Sequence, residues 1–341
     1  MIATMTRRGF GATAAIALAA PFIARAGAAE PIELRCSLDT EPSHPRNGGL
    51  RDYLAKIEAA SNGQIQTKLF ESGALFPDLH VIKALVQGQV EMACPGTWTM
   101  TGLVPDADLT ALPAFYGRPI DVVHKVTDGP AGKFVNGKLT EKLHVEVLGG
   151  WFDLGFNNWY STKKPLHSVA DLAGMKLRSP GGVLNSWRIR FMGGIPNVTA
   201  WPDVPLAMSQ GTFDGLITTN ISAYSSKLFD SGLRYSLQDH QAMGQYVPLL
   251  SPTFWSKLDP KLRTMMQATW TENLPKYREN SAKAQDAGRE ALTKQGVTFV
   301  DVPEAERDAT RAKMLTQQDA AVADAHISPD LVKLVMADVG A

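Results

Sequence analysis

The chain has 341 residues, of which 44% are hydrophobic and 20% charged, with 34 basic and 34 acidic side chains. This balance is typical of a folded protein long enough for two domains, and it argues against a disordered chain. No basic run occurs after the first residues, so nothing indicates a nucleic acid or a membrane surface as a partner.

The first 28 residues are predicted to be a twin-arginine export signal. Arg7 and Arg8 precede a weakly apolar, alanine-rich run at residues 11–23, and a small-residue cleavage site at Ala26, Ala28 or Ala29 follows it. The run is too short to span a bilayer, and a retained N-terminal anchor is the alternative. The mature chain would carry a net charge of about −3 and would lie in the periplasm.

Strand and helix patterns alternate in the first half of the chain. Alternating apolar residues predict strands at residues 32–38, 64–70 and 90–94. Helical spacing predicts helices between them, which end near Gly63 and Gly88. This alternation favours a parallel sheet.

A similar order of elements returns at residues 175–217 and predicts a second lobe of like construction. Residues 145–151 and 156–160 would carry the chain to this lobe, and residues 242–250 would carry it back, which makes a hinge. A helical pattern of unusual length follows at residues 260–295, with a bend expected at Pro275. A short strand and two polar helices would end the chain.

The predicted fold is therefore an α/β clamshell of two lobes, each a mostly parallel sheet flanked by helices, with hinge strands and a long C-terminal helix spanning both lobes. We place lobe I at residues 30–155, with residues 243–283 returning to it. We place lobe II at residues 156–242, with residues 284–341 packing on it and on the long helix.

The segment GMKLRSPGG at residues 174–182 places Arg178 at the carboxyl end of a short strand. In open parallel sheets ligands bind at this edge, and the helix predicted next would bring its positive N-terminal end there. A guanidinium binds a carboxylate through two parallel hydrogen bonds, so Arg178 is predicted to bind an organic anion. A solvated surface arginine is the alternative.

The common enzyme signatures, such as CxxC, HExxH, GxSxG and a glycine-rich phosphate loop, do not occur in the sequence. The seven histidines lack metal-ligand spacing, and neither a metal nor a cofactor is predicted. Cys36 and Cys94 lie in predicted strands of one lobe. Buried free thiols are favoured there, and a disulfide between the two residues is the alternative.

Eight short motifs, taken together, resemble the solute-binding proteins of tripartite ATP-independent periplasmic (TRAP) transporters, the DctP family. The motifs are PSHP at residues 42–45, GAL at 73–75, QGQVEM at 87–92, LPAF at 112–115, KPL at 164–166, DLAGMKLR at 171–178, QGTFDG at 210–215 and FWSKL at 254–258. Each motif is weak by itself, whereas their order over nearly the whole mature chain is specific.

The resemblance implies a two-lobed receptor, not an enzyme, that closes on a small organic acid and delivers it to an ion-gradient-driven membrane permease. It also implies that Arg178 pairs with the carboxylate of the ligand. The family often has a second arginine where Asn158 stands and an asparagine where Thr218 stands. These departures favour a monocarboxylate with an apolar or ring-bearing body.

Four further residues are candidate ligand contacts by the same resemblance: Trp201, Trp98, Asp39 and Asp78. Core packing is the alternative for a tryptophan, and a structural or helix-capping role is the alternative for each aspartate.

Three other functions stay open. The same clamshell could serve an ATP-driven importer or a sensor kinase, which neighbouring permease genes would decide. An exported enzyme with an unrecognised site would turn its ligand over. A scaffold would bind no small molecule at all. No nucleic acid partner and no stable membrane insertion are expected.

Overall fold

The computed structural model describes residues 30–339, and from Pro31 onward these residues form a single compact unit. The predicted export signal and its cleavage point lie outside the described residues. None of the helices in the described part of the chain combines the length and the apolar character that crossing a membrane requires.

The elements of the first part of the chain are β1 (Ile32–Ser37), α1 (Pro45–Ala60), β2 (Ile65–Phe70), α2 (Asp78–Val86), β3 (Met92–Ala93), α3 (Ile120–Thr127), α4 (Pro130–Leu143) and β4 (Glu146–Val147). These four strands and β10 (Leu249–Leu250) form the first sheet, in the order β2-β1-β3-β10-β4. Pro45 is favourable at the start of α1 because a first-turn residue needs no amide donor. The strands and helices predicted in this part of the chain are present.

The second sheet has six strands in the order β11-β9-β5-β8-β6-β7. The remaining elements are β5 (Phe152–Ser161), β6 (Lys176–Ser179), α5 (Val183–Phe191), β7 (Ile195–Val198), α6 (Val204–Ser209), β8 (Gly215–Thr218), α7 (Asn220–Ser225), β9 (Tyr235–Tyr246), β10 (Leu249–Leu250), α8 (Pro252–Lys257), α9 (Pro260–Lys294), β11 (Thr298–Asp301), α10 (Glu304–Leu315), α11 (Gln318–Asp324) and α12 (Pro329–Val339). The α/β fold class predicted from the sequence is confirmed.

Both sheets combine parallel and antiparallel pairs. In the first sheet β10 runs antiparallel to β3 and β4. In the second sheet β5 runs antiparallel to both β8 and β9. The antiparallel strands β5 and β10 lie where the chain crosses between the sheets. The alternation of strand and helix patterns could not indicate their direction.

The crossing strands are longer than predicted. β5 and β9 pair over most of their length, with register shifts between Asp153 and Gly155 and between Asn157 and Trp159. At one end Phe152 and Tyr246 belong to the core beside the first sheet. At the other end Trp159 belongs to a core cluster of the second sheet. The two sheets therefore share a continuous antiparallel ribbon.

The helix α9 also contributes to the cores of both sheets. Met266 and Trp270 are buried beside the first sheet, whereas Leu292 is buried beside the second. The helix continues through Pro275 without ending. Gln285 fixes α9 to the crossing ribbon, since its Nε2 donates to the main-chain oxygen of Leu154 at 2.6 Å.

The C-terminal helices differ from the prediction in number and in position. Three helices follow β11 rather than two. The last one, α12, packs against α3 and α4, where Leu331, Val335 and Val339 join the core beside the first sheet. Residues 329–339 therefore do not follow the predicted packing of residues 284–341 on the second lobe. The apolar residues of α12 recur at helical spacing and need a buried face, which this site supplies. The remaining lobe boundaries stay a prediction.

A substitution at Gly288 tests the contact between α9 and α7. A Cβ at Gly288 would lie 2.8 Å from the Cα and 2.9 Å from the backbone nitrogen of Ile221. Backbone atoms cannot rotate away, so we expect Gly288→Ala to lower the free energy of unfolding by about 1–3 kcal/mol. Urea denaturation followed by circular dichroism measures this change.

The matched control is Gly137→Ala in α4, where a Cβ would meet nothing within 4 Å. This exposed helix position should gain about 0.5–1 kcal/mol, the ordinary advantage of alanine over glycine. Equal stabilities for the two variants would contradict the close approach of α9 to α7.

Candidate functional site

Elements of both sheets enclose a cavity, here called the crevice. Six of the seven predicted site residues line it: Asp39, Asp78, Trp98, Arg178, Trp201 and Thr218. Residues that the sequence did not single out also line it, including Asn157 and Tyr246. The volume is about 30 Å³, whereas one water molecule requires roughly 10–15 Å³ by the same measure. The walls must therefore part before a larger molecule can enter.

Arg178 reaches the crevice from β6, as predicted. The strand ends one residue later, and Gly181 and Gly182 turn the chain into α5 with φ angles of 113° and 81°. These left-handed conformations favour glycine, which has no Cβ to clash. The turn leaves Arg178 at the carboxyl end of its strand.

The Arg178 side chain is held without a carboxylate. It is 2% exposed, and its Nε donates to the main-chain oxygen of Thr199 at 3.0 Å. Its Nη1 donates to the main-chain oxygen of Ile217 at 3.3 Å. Its Cζ lies 5.4 Å from the ring centroid of Trp201, a distance typical of a cation–π contact. These groups orient the guanidinium but do not neutralise it.

The charge of Arg178 has no ion-pair partner within residues 30–339, although two carboxyl groups lie in the same crevice. Burial lowers the pKa of Arg178 to about 10, and the negative charges of Asp78 and Asp39 oppose this effect. The guanidinium therefore stays protonated at neutral pH. The alternative of a solvated surface arginine is wrong.

The N-terminal end of α5 does not serve an incoming anion, contrary to expectation. Asp108, which is 2% exposed, accepts the main-chain N–H of Leu184 at 2.9 Å. A carboxylate of the chain itself thus occupies the positive end of this helix. Asp108 is far from Leu184 in sequence, and no local pattern could indicate this contact.

Asp39 is already paired. Its Oδ1 accepts from Nη2 of Arg46 at 2.5 Å, and Arg46 is completely buried. The Arg46 guanidinium also lies over the ring of Tyr246, with its Cζ 3.9 Å from the centroid. This pair is internally neutral and forms part of the wall of the crevice.

Asp78 is the second carboxyl group of the crevice and is 5% exposed. Its Oδ1 accepts the main-chain N–H of Trp201 at 3.1 Å, which joins α2 to the segment after β7. Burial and the negative charge of Asp39 raise the pKa of Asp78 to about 7, and the positive charge of Arg178 opposes them. Asp78 therefore titrates near neutral pH.

Both tryptophans that were predicted as ligand contacts form walls of the crevice. Trp201 begins a short 3₁₀ turn after β7 and is 6% exposed. Trp98 lies in another 3₁₀ turn, and its ring centroid is 5.7 Å from that of Tyr246. Thr218 ends β8 and is buried in the same cavity.

Asn158 lies outside the crevice, and this prediction needs correction. Its Oδ1 accepts the main-chain N–H of His240 at 3.0 Å, and its Nδ2 donates to the main-chain oxygen of Phe156. The side chain lines a separate cavity of about 350 Å³. Successive strand residues face opposite sides, so the preceding residue, Asn157, lines the crevice instead.

Cys36 and Cys94 are buried free thiols. No group of three or more His, Cys, Asp or Glu side chains within residues 30–339 has a metal-binding arrangement.

Comparisons with known proteins agree with this architecture. The C4-dicarboxylate-binding periplasmic protein DctP of Rhodobacter capsulatus is 27% identical over 309 residues, which are 90% of each chain. The sugar acid binding protein DctPAm of Advenella mimigardefordensis, solved with galactonate, has a TM-score of 0.85 at 21% identity and covers 91% of this chain and 98% of its own. A TRAP periplasmic solute binding protein of Sulfitobacter, solved with β-D-galacturonate, has a TM-score of 0.82 at 20% identity, with coverages of 91% and 100%. These two likenesses establish the fold.

The sequence model of one family matches residues 37–324, which is most of the chain. Its description is bacterial extracellular solute-binding protein, family 7, also named DctP. Proteins of this kind bind solutes for transport and are not enzymes. The chain belongs to the DctP family of bacterial extracellular solute-binding proteins.

Proposed function

We propose that this protein is a periplasmic receptor that binds a small organic carboxylate in the crevice and delivers it to a TRAP-type permease. The observation that carries the proposal is the buried guanidinium of Arg178, which has no ion-pair partner within residues 30–339. A buried charge without a counter-charge is unfavourable by several kcal/mol. A bound carboxylate removes this cost.

The charges around the crevice favour a solute with a single negative group. Arg46 and Asp39 neutralise each other, which leaves Arg178 as the cation for the solute. Asp78 is the remaining carboxyl group of the crevice, and its ionised form would repel a second carboxylate on the solute. A monocarboxylate therefore fits these charges better than a dicarboxylate, although the Rhodobacter capsulatus relative is named for C4-dicarboxylates.

The other walls favour a body that is ring-bearing or partly apolar. Trp98, Trp201 and Tyr246 supply flat aromatic surfaces, and Leu154 and Ile217 supply aliphatic ones. Flat rings and aliphatic walls stack well on cyclic solutes. The bound galactonate and galacturonate of the solved neighbours are also monocarboxylates.

Replacement of Arg178 should abolish tight binding. Loss of the charge-assisted pair should cost on the order of 2–5 kcal/mol of binding free energy in Arg178→Ala. Arg178→Lys keeps the charge but loses the planar fork, so its binding should also weaken strongly. The measurement is isothermal titration calorimetry, after a thermal-shift screen against galactonate, D-galacturonate, succinate, orotate and benzoate.

The control for this test is Arg190→Ala, which removes an exposed arginine from α5. Its affinity should equal that of the unmodified protein. Circular dichroism verifies that each variant is folded. Undiminished binding by folded Arg178→Ala would refute the anchoring role.

Binding should weaken as the pH rises from 6 to 8. The solute carboxylate is already ionised over this range, because its ordinary pKa lies near 4. Asp78 has a pKa of about 7, so it gains negative charge across the same range and competes for Arg178. We expect a several-fold loss of affinity by calorimetry. Asp78→Asn should bind about equally at both pH values, and an unchanged pH dependence in that variant would contradict this explanation.

Uptake by intact cells should require both the export signal and an ion gradient. We expect the double variant Arg7→Lys, Arg8→Lys to leave the protein in the cytoplasm, because the twin arginines address it for export. Uptake of a labelled solute from the screen should then stop. An ionophore, which dissipates the ion gradient, should stop uptake by the unmodified strain. If ATP depletion stops uptake and the ionophore does not, an ATP-driven importer would be favoured instead.

A further inference from the structure

Two tryptophans that line the crevice have indole N–H donors without acceptors. The indole Nε1 atoms of Trp98 and Trp201 are buried and have no partner within the described residues. A buried donor without an acceptor is unfavourable, because it has lost its hydrogen bonds to water. Native proteins therefore rarely leave such groups unpaired unless the site has a use for them.

The three completely buried tryptophans of residues 30–339 do not share this feature. Each of three tryptophans outside the crevice donates its indole N–H to a nearby acceptor: Trp151 to Asn136 Oδ1 at 2.8 Å, Trp159 to Asp239 Oδ2 at 2.7 Å, and Trp270 to the main-chain oxygen of Gly150 at 2.9 Å. The unpaired pair is therefore confined to the cavity that also holds the unpaired guanidinium.

Both unpaired indoles are fixed in position. The ring of Trp201 packs against the guanidinium of Arg178, and its main-chain N–H is held by Asp78. The ring of Trp98 packs on Tyr246 and covers Gly96, where a Cβ would lie 2.2 Å from the ring. A donor held in place loses little entropy when an acceptor arrives.

We propose that Trp98 and Trp201 are specificity-determining residues that donate their indole N–H groups to oxygen atoms on the body of the solute. The solute is then a carboxylate that also bears hydroxyl or carbonyl oxygens, rather than a purely hydrocarbon acid. Asn157 and Thr218 line the same cavity with no side-chain hydrogen bond inside the described chain, and they add polar groups for such a solute. The inference rests on the proposed function and specifies the substrate class of that site.

The test compares acids that share a ring and a carboxylate but differ in oxygen substituents. The probes are benzoate against the three monohydroxybenzoates, and cyclohexanecarboxylate against D-galacturonate. We expect at least one oxygenated acid to bind about tenfold or more tightly than its parent, because each indole donor that gains an acceptor is no longer buried unpaired.

The variants Trp98→Phe and Trp201→Phe keep a smaller aromatic wall and remove the N–H donor, and the parent acid measures the effect of the lost ring area. Each should weaken the oxygenated acid by about three- to tenfold and leave the parent acid within about twofold. The control is Trp255→Phe, which changes a tryptophan of α8 outside the crevice and should affect neither acid. Calorimetry measures all pairs.

Three results would overturn the inference: equal affinity for parent and oxygenated acids, equal weakening of both acids by the crevice variants, or no binding of any carboxylate probe. The last result would overturn the proposed function as well. Retained binding by Arg178→Ala would overturn only the anchoring role, because the oxygen preference and its loss in the tryptophan variants would remain.

Discussion

A positive charge that is buried without an ion-pair partner in residues 30–339 is the constraint on which this site depends. Arg178 is 2% exposed, and within this part of the chain main-chain oxygens and an indole ring hold it. The other buried cation of the region, Arg46, has its own carboxylate in Asp39. The contrast between the two arginines assigns them different tasks. Arg46 stabilises the wall, and Arg178 leaves one unit of positive charge for a solute.

The position of that charge depends on a few elements that belong to both sheets. The antiparallel ribbon of β5 and β9 begins in the core of the first sheet and ends in the core of the second. The helix α9 does the same through Trp270 and Leu292. The crevice lies between groups that these elements hold together, so its width responds to small changes in their geometry.

The sequence was sufficient for most of the fold and for the anchor of the site. The strand that carries Arg178, the turn after it and the helix α5 are all local patterns, and each was found where expected. Six of seven predicted site residues line one cavity. These residues lie at or near the ends of strands and helices, and the hydrophobic periodicity of the sequence predicts where those elements end.

The remaining features depend on distant partners or on exact register. The resemblance indicates Asn158, whereas Asn157 lines the crevice. A single step along a strand changes the face, and β5 has a register shift beside these residues. The carboxylate of Asp108 at the end of α5 comes from a segment far away in sequence. Mixed strand directions follow from the path of the crossing chain, and no short pattern encodes that path.

The hydrogen bond from the main-chain N–H of Trp201 to Asp78 gives the protein an internal competitor for its own solute. This bond joins α2 to the segment after β7 across a crevice of about 30 Å³. A solute can enter only when the two segments separate, so the apparent dissociation constant rises as the separated population falls. The strength of this main-chain bond therefore enters the affinity for every solute. Asp78 and Trp201 also act on the choice between solutes through the carboxyl group and the indole ring, so a substitution of either residue should change affinity and selectivity together.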